Sequence, residues 1–175
     1  PGGWAWTHQS GAVPDADDTA AALVALHALQ PDRLTPEIAD GCAWLINLQN
    51  RDGGIPTFCR GWGKLPFDRS CPDLSAHAYH ALDLWRHALQ PDWRHAAERC
   101  QKRILDFLAR NQRADGAFLP LWFGDQLAPD GLAPVYGTAV VLENLCGLAT
   151  PWCAKARDYL LAAQLPSGAW GADDR

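Results

Sequence analysis

The chain has 175 residues, of which 48% are hydrophobic and 20% charged. A chain of that length and make-up buries roughly 70% of its unfolded surface around a single core, which excludes a disordered protein. Its net charge of −5, from 15 Lys+Arg against 20 Asp+Glu, comes without any basic run, so nucleic acid is not an expected partner.

No apolar run reaches the roughly 18–20 residues of a membrane span. Nine Trp and no Met stand out, and the chain opens on Pro1-Gly2-Gly3-Trp4. It is therefore expected to be a piece of a longer protein, a single partial domain over 1–175. Six helices are predicted in chain order, near 18–29, 36–49, 73–89, 93–111, 137–148 and 151–163, with no strands. Pro31, Pro36, Pro91 and Pro151 punctuate the short junctions between them.

Between the helix pairs runs an internal repeat. Gln49–Gly53, Gln112–Gly116 and Gln164–Gly168 all read Q-x-x-x-G, the third continuing to Trp170 where the others have Ile55 and Phe118. Gly2-Gly3-Trp4 reads as the tail of a further copy. The second, fourth and sixth helices are amphipathic, with Trp93, Ala97, Cys100, Ile104, Phe107 and Leu108 forming one stripe. The first is apolar nearly all round from Ala20 to Leu29, and the fifth runs Thr138-Ala139-Val140-Val141-Leu142, so both are expected to be buried on every side. Alternating buried and half-exposed helices make an all-α protein of α/α-toroid hairpins, inner helices wrapped by outer ones, with six helices forming roughly half a ring.

Six cysteines (Cys42, Cys59, Cys71, Cys100, Cys146, Cys153) lack zinc or disulfide-scaffold spacing. Cys42, Cys100 and Cys146 read as small core hydrophobes, reduced thiols of a cytosolic protein. Cys59 and Cys71 flank a loop and are open as a pair or as metal ligands.

The chemistry gathers at the starts of the odd-numbered helices. Asp15-Ala16-Asp17-Asp18 opens the first. Acids there cap a helix and oppose its dipole, which is one full reading of them. Three carboxylates this close cannot all ionise cheaply, however, so at least one pKa should rise and hold a proton at neutral pH. A weak base is protonated by a group of that kind. Asp73 and His77 share one face of the third helix and can hydrogen-bond, or serve merely as a cap and a core histidine. Tyr136 opens the fifth helix after the aromatic loop carrying Trp122 and Phe123. Because the inner helices of a toroid run the same way, Asp17, Asp73/His77 and Tyr136 should converge at one end of the ring. Trp44, Trp85, Trp93 and Trp152 lie on helices and are assigned to packing. Trp6, Trp62, Trp122 and Phe123 lie in loops at the mouth, where aromatic faces stabilise a cation within about 6 Å.

These residues resemble the C-terminal part of squalene–hopene cyclases and related class II triterpene cyclases. Asp15-Ala16-Asp17-Asp18 matches the family's D-x-D-D motif, preceded by Gly2-Gly3-Trp4-Ala5-Trp6, and the Q-x-x-x-G-x-W pieces match its repeated QW motif. Asp73–His77 resembles its Asp-x-x-x-His segment, and Trp122 with Tyr136-Gly137-Thr138 its active-site aromatic segment. The resemblance implies cation-driven cyclisation of squalene or a similar linear polyprene with no metal and no organic cofactor. It makes Asp17 the acid, flanked by Asp15 and Asp18, held by His77, which Asp73 orients. Trp122, Tyr136, Trp6 and Phe123 would stabilise carbocations, and each motif Gln would cap a helix end, stack on the Trp and tie neighbouring repeats.

It also implies that the remaining domains of a parent cyclase complete the active site, and that the parent sits peripherally on the cytoplasmic face of a membrane. Alone, the chain is expected to be inactive and prone to self-association. The departures are Ile55 and Phe118 in place of motif Trp, and an unfamiliar loop at 60–67. Other readings are a class II diterpene cyclase, a non-catalytic isoprenoid-binding α/α scaffold, and a protein prenyltransferase subunit holding zinc on Asp68, Cys71 and His77.

Overall fold

The computed structural model describes residues 2–9, 12–58, 68–126, 128, 130–145 and 147–171. Cys59, Trp62, the loop at 60–67 and Cys146 lie outside the described residues.

Six helices follow the predicted order: α1 Ala16–Leu29, α2 Pro36–Leu48, α3 Pro72–Trp85, α4 Pro91–Asn111, α5 Pro134–Asn144 and α6 Pro151–Ala162. Proline opens five of them at the first turn, where no N–H is missed. Asp15, Thr35 and Thr150 cap α1, α2 and α6 through side-chain oxygens. The described residues contain no strand, only an isolated bridge between Ile55 and Cys71.

Several boundaries move. α3 stops at Trp85 and not at 89, because Ala88 and Leu89 bond back three residues and tighten the chain into a turn before Pro91. α5 begins at Pro134 and ends at Asn144, four residues short of 148, with Gly147 left-handed at φ 95° just beyond.

The inner row is α1–α3–α5, with α3 in the middle, and the outer helices α2, α4 and α6 back it. α3 is buried on most sides, from Leu74 through Trp85. α1 departs from the expectation of burial all round: Ala21, Ala25 and Ala28 are exposed and Leu29 is 77% exposed. α5 likewise exposes Ala139. An inner helix needs a neighbour on each flank, and only α3 has both. The stripe of α4 is buried from Ala97 to Leu108, but Trp93, one turn ahead of it, is 39% exposed. Cys42 and Cys100 are free and in the core, where burial pushes each thiol up to about 12.

The repeat turns out to be a ladder between outer helices. Gln49 Nε2 donates to the Gly53 carbonyl at 2.8 Å and to that of Cys100 in α4 at 3.0 Å. Gln112 Nε2 donates to the Gly116 carbonyl and to that of Trp152 in α6, both at 2.8 Å. Each glutamine thus closes its own turn and grips the next outer helix. The motif glycines share this logic. Gly53 and Gly116 have φ of 98° and 95°, and a Cβ on them would lie 2.6 and 2.4 Å from the carbonyl oxygens of Arg103 and Lys155. Gly2, in the partial copy, would meet Asp40 of α2 in the same way at 2.8 Å.

A second set of bonds ties each motif to an inner helix. The backbone N–H of Trp4, Ile55 and Phe118 donates to the hydroxyl of Thr19, Ser75 and Thr138 respectively, at 2.9, 2.8 and 2.9 Å. All three hydroxyl residues are fully buried. The tie runs through the backbone, so Ile55 and Phe118 make it without a motif Trp. Counting back two residues from these hydroxyls gives Asp17, Asp73 and Tyr136, which therefore occupy one equivalent position in three successive inner helices.

Candidate active site

Asp15 caps α1, its Oδ1 accepting from the Asp18 N–H at 2.8 Å. It is buried, and its carboxyl is pushed up to about 7, first by burial, then by the Asp18 side chain and the charges of Asp18 and Asp17, against the lowering pull of the Asp18 N–H. The expected rise within the acidic triplet therefore falls on Asp15. Asp17, in the first turn of the helix, leaves its side chain 57% exposed and meets Nδ1 of His77, itself 19% exposed, at 2.8 Å through Oδ1. Its second oxygen has no place in that bond.

Asp73 lies beneath, buried, its pKa raised by burial with the charge of Asp17 adding. Its carboxylate takes its hydrogen bond from the Cys71 thiol and not from His77. Two residues after Cys71 and four before His77, Asp73 turns back toward the cap of α3. The Cys71 sulfur also accepts from the Leu121 N–H at 3.0 Å, and its thiol is pushed up by burial and by Asp73. Among the described residues no three His, Cys, Asp or Glu side chains form a metal-binding group, so Asp68, Cys71 and His77 do not assemble as the zinc set of the prenyltransferase reading.

Beside the acids is a pocket of about 250 Å³ lined by Asp15, Asp17, Asp18, Trp6, Trp122 and Phe123, together with Thr57, Phe58 and Leu74. Trp6 meets Phe58 edge-on at 6.1 Å between ring centroids, and Phe123 meets Tyr136 at 5.0 Å and 54°. Burial, and then the charges of Asp73 and Asp17, raise the Tyr136 phenol. The Trp122 indole N–H donates to the Thr57 hydroxyl. Nine of the residues singled out from the sequence are thus brought to one end of the inner row: six line the pocket, His77 and Tyr136 meet the lining residues Asp17 and Phe123, and Asp73 bonds Cys71, whose sulfur holds the Leu121 N–H next to Trp122.

Thr57, Phe58 and Leu74 were not anticipated as lining residues, nor Cys71 as the partner of Asp73. The repeat carried the missing signal: counted from the motif glycine, Thr57 falls where Trp6 stands in the preceding copy. Chemically, the arrangement sets a carboxyl with one free oxygen beside aromatic side chains in a cleft of low polarity. It suits proton donation to a weak carbon base followed by cation stabilisation.

Paired inner and outer helices joined by a glutamine–glycine ladder, with acids and aromatic rings gathered at one end of the inner row, define a class II terpene-cyclase type of repeat domain. The chain belongs to the squalene–hopene cyclase C-terminal domain family, whose family model matches residues 1–175. It is 28% identical over 193 residues to enfumafungin synthase efuA of Hormonema carpetanum, covering 97% of this chain and 14% of that protein. It is 29% identical over 193 residues to a probable squalene–hopene cyclase of Sinorhizobium fredii (strain NBRC 101917 / NGR234), covering 99% and 28%. The fold is shared with the type II terpene cyclase MstE from Scytonema at a TM-score of 0.67 and 23% identity, over 95% of this chain and 44% of that one. The chain thus spans less than a third of the length of these curated relatives.

Proposed function

We propose that this chain supplies the acid-bearing part of the cavity of a class II triterpene cyclase acting on squalene or a similar linear polyprene. The observation that carries the reading is the Asp17–His77 pair opening on a pocket walled by Trp6, Trp122 and Phe123. In this reading the Asp17 O–H breaks and its proton adds to the terminal C=C, whose electron pair forms the new C–H bond. The tertiary carbocation left behind is attacked by the next double bond, and loss of a proton at the end leaves an isomer of the substrate. His77, on one carboxyl oxygen, holds Asp17 and stabilises the carboxylate formed, while the other oxygen faces the alkene. Asp15 and Asp18 set the local charge. The rings of Trp6, Trp122, Phe123 and Tyr136 each contribute roughly 0.5–2 kcal/mol to a cation within about 6 Å.

A volume of about 250 Å³ is below the roughly 300–1,000 Å³ of ligand sites and takes one end of a thirty-carbon chain. Further domains of a longer cyclase would enclose the rest, with the enzyme peripheral on a membrane that supplies the apolar substrate. No helix among the described residues is long and apolar enough to cross a membrane. The histidine on Asp17 favours the squalene type over a class II diterpene cyclase using the same acid motif. The decisive experiment is mass-spectrometric product analysis of the complete enzyme with squalene beside its Asp17→Asn variant. Cyclised triterpene from the wild type and none from the variant is expected, and equal product from both would refute the assignment. Binding of isoprenoid without turnover would favour the scaffold reading.

A further inference from the structure

We propose that Thr57 is a positioning residue that fixes the Trp122 ring over the Asp17 end of the pocket, an inference that rests on the cyclase reading above. Thr57 is buried and makes two bonds of opposite reach. Its carbonyl accepts from the Ala16 N–H at 2.7 Å, next to Asp17 at the start of α1. Its hydroxyl accepts the indole N–H of Trp122, 65 residues away. One residue thus fastens the acid's helix and an aromatic wall to the same point.

Trp122 stands in the loop between α4 and α5, 43% exposed, and the Thr57 bond acts on its ring directly. The Leu121 N–H on the Cys71 sulfur holds the backbone beside the ring, and the Thr57 bond reaches the ring itself. Orientation decides the sign of the ring's effect, because an aromatic face is negative and attracts a cation while the edge is positive and repels it. A hydrogen bond at the indole nitrogen selects which of the two meets the pocket. In the register of the repeat, Thr57 occupies the place that Trp6 holds in the preceding copy. One copy places a ring there directly, and the next places a hydroxyl that aims a ring contributed by a later segment.

The test uses the complete enzyme and compares Thr57→Val, which keeps the shape and loses the acceptor, with Thr57→Ser, which keeps the hydroxyl. Thr57→Ala is a second removal should the valine variant fold poorly. With squalene, removal should lower kcat about fivefold, the size of one lost hydrogen bond, with KM changed less than about twofold. It should also raise the share of incompletely cyclised product, and serine should restore both. In a Trp122→Phe background the removal should add almost nothing. Wild-type kinetics and products in the removal variants, or an undiminished effect in the Trp122→Phe background, would overturn the proposal. Should the wild type make no cyclised product, the cyclase reading fails, and Thr57 is judged on the Trp122 indole by nitrogen-15 NMR. Hydrogen exchange there should be slow in the wild type and Thr57→Ser and at least about tenfold faster on removal. Equal exchange in all of them would overturn the positioning role.

Discussion

His77 of α3 and Asp17 of α1 meet at 2.8 Å, Nδ1 to Oδ1, across 60 residues of sequence. Two inner helices are joined at the end where the aromatic rings gather, and only one oxygen of the carboxyl is used. Replacing Asp17 by Asn keeps the shape and removes the acid, so cyclised product should fall at least about 100-fold with unchanged circular dichroism. His77→Gln should lower turnover about tenfold or more and leave substrate binding near wild type, measured as kcat and KM separately.

Asp15 gives the protein a pH dependence of definite sign. Its carboxyl is raised by burial and by Asp18 from 3.8 to about 7 in the folded state. A group raised in this way stabilises the fold fully below its unfolded pKa, near 4, and loses that contribution as the pH climbs through about 7. Asp73, raised by burial, acts in the same direction. Tm should therefore fall between pH 5 and pH 8, by about 5 °C, and Asp15→Asn, which preserves the cap, should flatten the slope. Differential scanning calorimetry across that range checks it, and an unchanged slope in the variant would count against the assignment.

The ladder should be graded along the chain. Gln112→Ala removes two hydrogen bonds and should cost about 2 kcal/mol, while Gln164, whose Nε2 reaches only the Gly168 carbonyl among the described residues, should cost about half that. Gly116→Ala meets both a left-handed backbone and the Lys155 carbonyl, whereas Gly168→Ala meets the backbone penalty alone, about 1–2 kcal/mol. Urea titrations of the single variants give the order directly.

Apolar residues on the uncovered flanks, Leu29 on α1, Leu161 on α6 and Trp170 after it, should drive the chain expressed alone into self-association. Light scattering is expected to report oligomers that mild detergent disperses. A monodisperse monomer would argue that these flanks are covered in some other way.

Much of this was legible beforehand because it is local or periodic. Helix starts were marked by Pro36, Pro91 and Pro151, core stripes by their spacing, and the repeat by Gln49, Gln112 and Gln164. The common direction of inner helices in a toroid points Asp17, Asp73, His77 and Tyr136 to one end. Burial of α1 is less complete than its apolar sequence suggests, because such a sequence reports what a helix can bury and not how many neighbours it has. The pairing of Asp73 with Cys71 escaped notice because helical spacing permits both i+4 and cap contacts, and only the packed backbone chooses.

The sequence by itself determined the helices, their pairing and the candidate site residues, since these depend on propensity, periodicity and motif. The tertiary structure decided that Asp15 and Asp73 are buried with their pKa raised, which oxygen of Asp17 is engaged, and which hydroxyl meets the Trp122 indole. Those outcomes depend on desolvation and on contacts between segments about 50 to 65 residues apart, which no local pattern encodes.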